Sequence, residues 1–336
     1  MLIDLHIHQL TADMYNQHPK WGPFWENGSL RVGDWVLGAK RSSAIGKAYN
    51  KTLEELSETV YSPHYRLREM EACGIDKFIV SMPSHLVMYH TDPKWAAQYA
   101  RHINDTLAKW CSTDYERLHF WAHVPMQDPV AAAAELDRAV NQLGAKGVAI
   151  GGANFGGLEA YSPELFPFWE KVAELDVMVF VHGYNQSVTW ERPMEDPFDT
   201  TSIVGMLSDE ALFYWYITNG GVLDTFPDLK ILITHGGGIV PFQMRRFKAT
   251  NKTMAPDSKN KKGLEEYDRN FFFDLDIHSP HMRKAIIAEV GVDQVLYGDN
   301  FGGSDSHGGD LTEGMGLTPE EQEKIRSGNA LRLIKF

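Results

Sequence analysis

The sequence is poor in cysteine: its 336 residues include only Cys73 and Cys111, which are far apart and in no metal-ligand spacing. A disulfide framework and a cysteine-bound zinc site are therefore not expected. A reducing compartment such as the cytoplasm is expected instead. Basic residues are also in deficit, because the net charge is −13 and no basic run is longer than residues 259–262. This balance argues against a nucleic-acid partner and against an anionic membrane surface.

Long hydrophobic runs are absent as well. Acidic Asp4 comes after three residues, and the start has no basic region followed by a long apolar core. It resembles neither a signal peptide nor a membrane span, and a strand is predicted there. The apolar fraction of 43% is normal for a globular protein with a sizeable core. Since no linker, low-complexity tract or fixed-period repeat divides the chain, a single domain over residues 1–336 is predicted.

Short apolar, β-branched runs alternate with helical segments along the whole chain, which is typical of parallel strands joined by crossover helices. Most of the runs are nearly continuous in apolar residues, as expected for strands that helices cover on both faces. Eight such units favour an α/β fold of the closed (β/α)₈ type, a TIM barrel, over a doubly wound open sheet. The predicted strands are residues 2–6, 77–82, 118–124, 147–150, 177–182, 230–234, 271–276 and 294–297.

Helix signals lie between these strands, at residues 63–73, 128–143, 163–175 and 208–219. Two long segments, residues 9–56 after the first strand and 184–201 after the fifth, are rich in Trp, Pro and Gly. We predict that both are insertions at the carboxyl-end rim of the barrel, where active sites of this fold lie.

Histidines and a carboxylate recur at the strand ends. His6 and His8 lie two apart on the first strand and are predicted, with Asp4, to share one face. By chance a chain with this many histidines holds roughly 0.6 such pairs, so the pair alone decides nothing. His182, His235 and Asp299 end the fifth, sixth and eighth strands. Imidazole and carboxylate ligands suit zinc or a similar divalent ion, and their joint placement predicts a metal site.

Three glycines, Gly236 to Gly238, follow His235. Their spacing matches neither the dinucleotide-binding pattern nor the P-loop. A close approach of the backbone to a metal and a substrate is therefore the expected reason for them.

Together, Asp4-x-His6-x-His8, His182, the His235 triglycine run and Gly298-Asp299 resemble the amidohydrolase superfamily. The similarity is closest to its branch of aminocarboxymuconate-semialdehyde decarboxylase-like proteins, and it runs nearly end to end. One departure follows the last strand. The family often has Gly-Ser/Thr-Asp-Phe/Tyr-Pro there, whereas residues 297–303 of this chain read YGDNFGG, so the loop after the aspartate is altered.

The resemblance implies one divalent metal ion, zinc or in some relatives manganese, held by His6, His8, His182 and Asp299. It also implies that His235 acts in acid/base chemistry beside the metal, a task that Asp299 could share, and that the chain forms a homodimer. A single metal is favoured independently, because binuclear relatives use a carboxylated lysine at the end of the fourth strand. Here Lys146 lies at the start of that strand, about 13 Å below the rim.

A divalent ion lowers the pKa of bound water to about 7 and polarises substrate oxygens, so several reactions are open to such a site. Our leading hypothesis is a metal-dependent non-oxidative decarboxylase, a carbon–carbon lyase acting on a small aromatic or unsaturated carboxylic acid. The alternative is a metal-dependent hydrolase or hydratase, which uses metal-bound hydroxide on a lactone, an amide or an unsaturated acid.

A carboxylate substrate favours an arginine fork. Arg245 and Arg246 follow the triglycine by about two helical turns, and Arg192 lies in the second predicted insertion. The resemblance implies that an arginine near the first two positions can bind a substrate carboxylate, sometimes across a dimer interface. For all three, a surface ion pair remains the open alternative.

Overall fold

Parallel strands form the centre of the molecule. The computed structural model describes residues 1–14, 22–27, 29–32, 35–39, 62–184, 200–301, 307 and 309–336. In chain order its strands are β1 Ile3–His8, β2 Phe24–Glu26, β3 Ser29–Val32, β4 Trp35–Ala39, β5 Lys77–Ser81, β6 Leu118–Phe120, β7 Ala122–His123, β8 Gly147–Gly151, β9 Asn154–Phe155, β10 Leu158–Glu159, β11 Met178–His182, β12 Lys230–Ile233 and β13 Phe271–Phe273.

The strands pair in two parallel runs, β1-β5-β6 and β7-β8-β11-β12-β13. The runs join at Trp121, which separates β6 from β7 within the third strand of the barrel. At the other end the segment 295–301 completes the ring, since parallel bridges join Phe273 to Val295 and Ile7 to Phe301. Eight parallel segments thus close into a ring, and the predicted (β/α)₈ barrel is confirmed.

The predicted strand bounds need four main corrections. The seventh strand, predicted at 271–276, ends at Phe273. The third strand is interrupted at Trp121, whose indole N–H donates to the carbonyl oxygen of Leu5 at 3.0 Å. The eighth, predicted at 294–297, pairs through single bridges that reach Phe301. The first extends two residues beyond its predicted end, to His8.

β1 also carries an extra residue relative to β5. Asp4 lies opposite Phe78 and Ile7 lies opposite Val80, so three steps along β1 match two along β5. Such a bulge changes the alternation of side chains, and bulges of this kind re-aim side chains beside functional sites. The prediction that strict alternation places Asp4 on the same face as His6 and His8 was therefore wrong, whereas His6 and His8 do bring one ring nitrogen each to the same cluster. The Asp4 carboxylate instead accepts the backbone N–H groups of His6 at 3.1 Å and Asp299 at 3.2 Å.

Helices cover the outside of the barrel. They are α1 Pro63–Cys73, α2 Pro93–Cys111, α3 Pro129–Leu143, α4 Phe166–Leu175, α5 Met206–Asn219, α6 Val222–Thr225, α7 Val240–Met254, α8 Pro280–Val290, α9 Pro319–Glu323 and α10 Asn329–Leu333. α1 matches its prediction and ends at Gly74, which adopts a φ of +68°. α3 begins where the Asp128 carboxylate accepts the N–H of Ala131 at 3.1 Å. The predicted helix 163–175 is a 3₁₀ turn, Pro163–Leu165, followed by α4.

Two apolar clusters stabilise the fold. One fills the lower part of the ring and includes Ile3, Leu5, Trp121 and Phe180. The other, larger cluster packs the alternate strand residues, such as Val179, against the helices. Among the described residues, no helix has the length and apolar character needed to cross a membrane.

The two predicted insertions are described only in part. Within residues 9–56, β2, β3 and β4 form an antiparallel sheet. Most of the second segment, residues 185–199, lies outside the described residues.

Candidate metal and acid-base site

Three of the predicted ligands meet at the carboxyl end of the barrel strands. His6 and His8 belong to β1, and His182 ends β11 across the ring. One ring nitrogen from each lies within 4.8 Å of those of the other two. The Nε2 atoms of His8 and His182 are 3.1 Å apart. The structure therefore brings together residues of two strands, the first and the fifth of the barrel, that are far apart in the chain.

The environment of His6 leaves one ring nitrogen available. Its Nδ1 is 2.8 Å from Oδ2 of the buried Asp274, and because a carboxylate accepts, Nδ1 carries the proton. Nε2 therefore holds a lone pair, and it is buried without a hydrogen-bond partner among the described residues. Burial, together with the neighbouring histidines, lowers the pKa of His6 well below its ordinary value. His6 is thus a neutral imidazole, which is the form that binds metals.

His8 and His182 have the same tautomer. His8 Nδ1 donates to Ser81 Oγ at 3.0 Å, because that hydroxyl gives its own hydrogen to the carbonyl of Ile7. His182 Nδ1 donates to the carbonyl oxygen of Gly183 at 2.5 Å. Burial also lowers the pKa of His8 well below its ordinary value. All three imidazoles are oriented through Nδ1, as metal-ligating histidines usually are, and each has an Nε2 lone pair for binding.

These residues fit a divalent ion. With metal–nitrogen distances of about 2.1 Å and ligand angles of roughly 90–110°, neighbouring ligand nitrogens lie roughly 3.0–3.4 Å apart. The separation of 3.1 Å between the Nε2 atoms of His8 and His182 falls in that range. Two imidazole nitrogens without a hydrogen between them would repel, so a cation between them stabilises the arrangement.

Asp299, the predicted fourth ligand, is fully buried at the same end of the barrel. Two residues later, the N–H of Phe301 donates to the carbonyl oxygen of His6 at 3.1 Å. The Asp299 Oδ1 atom accepts the backbone N–H of His307 at 2.9 Å. Its carboxylate is not within the group of ligand atoms around His6, so metal binding by Asp299 stays a prediction.

His235 lies beside the three histidines. Its ring centroid is 5.1 Å from that of His6 and 4.7 Å from that of His182. Its backbone adopts a φ of +50°, which is uncommon for a residue with a side chain. Burial lowers the pKa of His235, but the charge and hydrogen bond of Glu210, with smaller effects of Asp276 and Asp274, outweigh burial and raise the pKa to about 10. Without a bound cation His235 is therefore protonated.

Glu210 orients His235. Its Oε1 atom accepts His235 Nδ1 at 2.7 Å, the Thr234 hydroxyl at 2.7 Å and the Gly183 N–H at 3.1 Å. Glu210 is fully buried on α5. This residue was missed, although an Asp-Glu pair at positions 209–210, inside a predicted apolar helix, was a usable signal.

Two further carboxylates were missed at the end of the seventh strand. Asp274 accepts His6 Nδ1 on one oxygen and the N–H of Gly236, at 2.7 Å, on the other. Asp276 Oδ2 is 4.0 Å from His235 Nε2. The sequence FFFDLDIH, residues 271–278, contains the signal, because it ends a predicted strand with two carboxylates two apart.

The glycine run forms a tight turn after β12. All three glycines have a φ between 58° and 80°. A Cβ atom on Gly236 would lie 2.2 Å from Ile277 Cδ1, and one on Gly237 would lie 2.4 Å from Phe273 Cδ1. The turn needs left-handed backbone angles and leaves no room for side chains, which accounts for the glycines, and the expected approach to a metal and a substrate stays a prediction.

Two of the three predicted arginines are exposed on α7. Arg245 is 87% exposed on α7, and it forms a two-pronged ion pair with Glu289 of α8 at 2.9 Å and 3.0 Å. Arg246 is also exposed. Arg192 lies outside the described residues. A role of these arginines in substrate binding stays a prediction.

A small cavity lies next to His182. It has about 320 Å³ of empty space, including space open to solvent, and Met82, Val87, Ile150 and Phe180 supply much of its apolar lining. His123 also lines the cavity, and burial lowers its pKa to about 4, so this imidazole is neutral. An apolar lining beside polar ligands is typical of a site for a small aromatic molecule.

Comparison with known proteins identifies a family to which the chain belongs. The family model described as "Amidohydrolase" matches residues 3–336. A 2-amino-3-carboxymuconate-6-semialdehyde decarboxylase from Dictyostelium discoideum is 27% identical over 343 residues, which cover 99% of this chain and 91% of that protein. A gamma-resorcylate decarboxylase from Polaromonas sp. is 28% identical, covering 81% of this chain and 86% of that protein.

A solved structure shares the fold. It is a dihydroxybenzoic acid decarboxylase from Polaromonas sp. with bound manganese and the inhibitor 2-nitroresorcinol. The TM-score is 0.78 at 24% identity, and the match covers 99% of this chain and 96% of that one.

Proposed function

Because the chain belongs to the amidohydrolase family, we propose that it is a metal-dependent carboxy-lyase, which releases the carboxylate of an aromatic or unsaturated carboxylic acid as carbon dioxide without oxidation. The observation that carries the proposal is the convergence of three imidazoles beside the His235–Glu210 pair, next to an apolar cavity. The decarboxylases among its relatives, which span most of the chain, support this reaction over hydrolysis.

The reaction replaces a carbon–carbon bond by a carbon–hydrogen bond. The bond between the substrate carbon and its carboxylate breaks, the electron pair stays on that carbon, and carbon dioxide leaves. A proton from His235 then takes up the electron pair, so the overall change is R–COO⁻ + H⁺ → R–H + CO₂. Glu210 holds the ring of His235 in position through Nδ1, and Nε2 lies 4.0 Å from Oδ2 of Asp276.

His6, His8 and His182 would hold the metal ion, with Asp299 as the proposed fourth ligand. A bound divalent ion would polarise substrate oxygens and stabilise developing negative charge. The three histidines would fix the position of the ion, and the apolar side chains beside His182 would contact the hydrocarbon part of the substrate. Arg245, Arg246 and Arg192 are the candidates for binding a carboxylate.

Zinc is the proposed metal and manganese the alternative, since imidazole-rich sites suit zinc, while the Polaromonas structure contains manganese. Elemental analysis of the purified chain decides between them. We also propose a cytoplasmic homodimer, in which the exposed arginines of α7 could reach the partner. Light scattering measures the assembly.

The experiment that tests the function is a carbon dioxide assay. The metal-loaded chain is incubated with 2,6-dihydroxybenzoate, 5-carboxyvanillate and 2-amino-3-carboxymuconate-6-semialdehyde, and carbon dioxide and product mass are measured. We expect release of one carbon dioxide per product, and a loss of about 100-fold or more for His235→Asn, because a positioned proton donor contributes about 10²–10⁴-fold. Products that retain every carbon, with oxygen-18 taken up from water, would instead identify the hydrolase or hydratase.

A further inference from the structure

His307 lies in the altered loop after the eighth strand, outside the residues that carry the family resemblance. Its backbone N–H donates to the Asp299 carboxylate at 2.9 Å. Its imidazole is 13% exposed and lies 3.2 Å from both Asp276 and Arg283. One residue of this loop therefore contacts the carboxylates that end the seventh and eighth strands.

The hydrogen bonds of His307 have a fixed direction. Arg283 is buried, and its guanidinium can only donate, so His307 Nδ1 accepts from Arg283 Nη2. The ring hydrogen is then on Nε2, which donates to Asp276 Oδ1 at 3.2 Å. Arg283 is itself held by a hydrogen bond from Nε to the carbonyl oxygen of Leu275 at 3.2 Å. Arg283, His307 and Asp276 thus form a directed chain of hydrogen bonds that starts at a buried cation.

The chain of hydrogen bonds fixes the rotation of the Asp276 carboxylate. While Oδ1 is bound to His307, Oδ2 lies 4.0 Å from His235 Nε2 and 3.8 Å from His6 Nδ1. We propose that His307 is a positioning residue, which holds Asp276 so that one of its oxygens faces the proposed proton donor. The kinetic part of this inference rests on the proposed function, whereas the hydrogen-bond geometry does not.

A second metal site is the competing interpretation. Asp276, His278 and His307 each offer one ligand atom within 4.8 Å of the others. Both ring nitrogens of His307 already have protein partners, in contrast to Nε2 of His6. A ligand role would require His307 to lose one of these hydrogen bonds, so the geometry favours positioning over metal binding.

The first experiment measures the tautomer of His307, independently of activity. Long-range nitrogen–proton NMR on the zinc-loaded chain, labelled with ¹⁵N-histidine, separates Nδ1–H rings from Nε2–H rings. We expect Nε2–H for His307, assigned by its loss in His307→Gln, and Nδ1–H for His6, His8 and His182. A hydrogen on Nδ1 of His307 would overturn the proposal, because Arg283 could then not donate to it.

The second experiment measures kinetics on the substrate that gives the most carbon dioxide. His307→Ala should lower kcat by about 10–100-fold with KM unchanged, the range seen when partners of a ligand shell are removed. His307→Gln should recover most of kcat, since its amide nitrogen can donate to Asp276 while its oxygen accepts from Arg283. His281→Ala, an exposed histidine on α8, should behave like the wild type.

Each other result has a defined meaning. Equal losses in His307→Gln and His307→Ala, or no loss in either, would contradict positioning. A second equivalent of bound zinc that disappears in both His307→Ala and His278→Ala would identify a metal site instead. If the wild type turns over no acid of the panel, the proposed function fails, and the NMR measurement alone decides the role of His307.

Discussion

Each histidine of the cluster receives its tautomer from a single neighbour. Asp274, Ser81 and the carbonyl of Gly183 each accept a hydrogen from an Nδ1 atom, and this leaves the Nε2 lone pairs for a cation. His6 and His235 each give an Nδ1 hydrogen to a buried carboxylate, but their pKa values shift in opposite directions. Burial and the neighbouring histidines lower the pKa of His6, whereas Glu210, with smaller effects of Asp276 and Asp274, raises that of His235. The balance between burial and neighbouring charge thus decides which imidazole is neutral and which is protonated.

A substitution of Asp274 tests whether the group that accepts the Nδ1 hydrogen controls metal binding by His6. Both of its oxygens accept hydrogens, from Gly236 and Asp276 on Oδ1 and from His6 on Oδ2. In Asp274→Asn an NH₂ group replaces one of these oxygens. It therefore faces another hydrogen-bond donor, either His6 Nδ1 or the backbone N–H groups, in both orientations of the amide. We therefore expect zinc affinity to fall by about 10–100-fold, measured by competition with a chelator of known affinity.

The control is Asp257→Asn, at an exposed aspartate, which should leave zinc affinity unchanged. Wild-type affinity in a folded Asp274→Asn chain would show that His6 does not depend on this carboxylate for its orientation.

At the scale of elements, the sequence predicts what repeats and misses what is irregular. Apolar runs located all eight barrel segments and placed His6, His8, His182 and His235 at strand ends, because alternating strands and helices bring those ends to one rim. The bulge in β1 and the break at Trp121 could not be predicted, since they depend on pairing with distant strands. Asp274 and Glu210 lie in recognisable sequence signals, but their roles follow from contacts with histidines elsewhere in the chain, which the sequence does not show.

Gly236, in the turn after β12, is needed for two reasons, its left-handed backbone and its lack of space for a side chain. A comparison with Gly144, which follows α3, separates them. Gly144 and Gly236 both have positive φ, at 81° and 61°, but a Cβ on Gly144 meets nothing within 4 Å, whereas one on Gly236 meets Ile277 at 2.2 Å. Gly144→Ala should cost about 1–2 kcal/mol of unfolding free energy for the left-handed backbone alone. Gly236→Ala should cost about 1–3 kcal/mol more, because the methyl group also overpacks the core.

Urea denaturation of both variants measures this difference. Equal losses would show that the Gly236 turn relaxes away from Ile277 and that packing does not limit it.

At the scale of the whole molecule, the barrel separates two environments. Apolar side chains such as Trp121 and Phe180 fill its lower part, and the ionisable cluster lies above them at the carboxyl ends of the strands. Near the opposite end, His119 of β6 is buried, with its ring centroid 5.1 Å from that of Phe336. His119 is therefore expected to affect the stability of the fold rather than its chemistry.

His119 makes the stability of the chain sensitive to acid. Burial, with smaller effects of Lys146 and Lys77, lowers its pKa to about 3, from an ordinary value of 6.5. Between these values the unfolded chain binds a proton that the folded chain does not, so the stabilisation is complete above pH 6.5 and is lost as the pH falls toward 3. At pH 5.5 this group alone costs about 1.4 kcal/mol of unfolding free energy relative to neutral pH.

His119→Gln should remove that part of the pH dependence, measured as the difference in unfolding free energy between pH 7.5 and 5.5, whereas the exposed His64→Gln should not. Because only the difference between two pH values is compared, a general loss of stability in His119→Gln does not affect the result. An unchanged difference in that variant would show that His119 takes up its proton without unfolding.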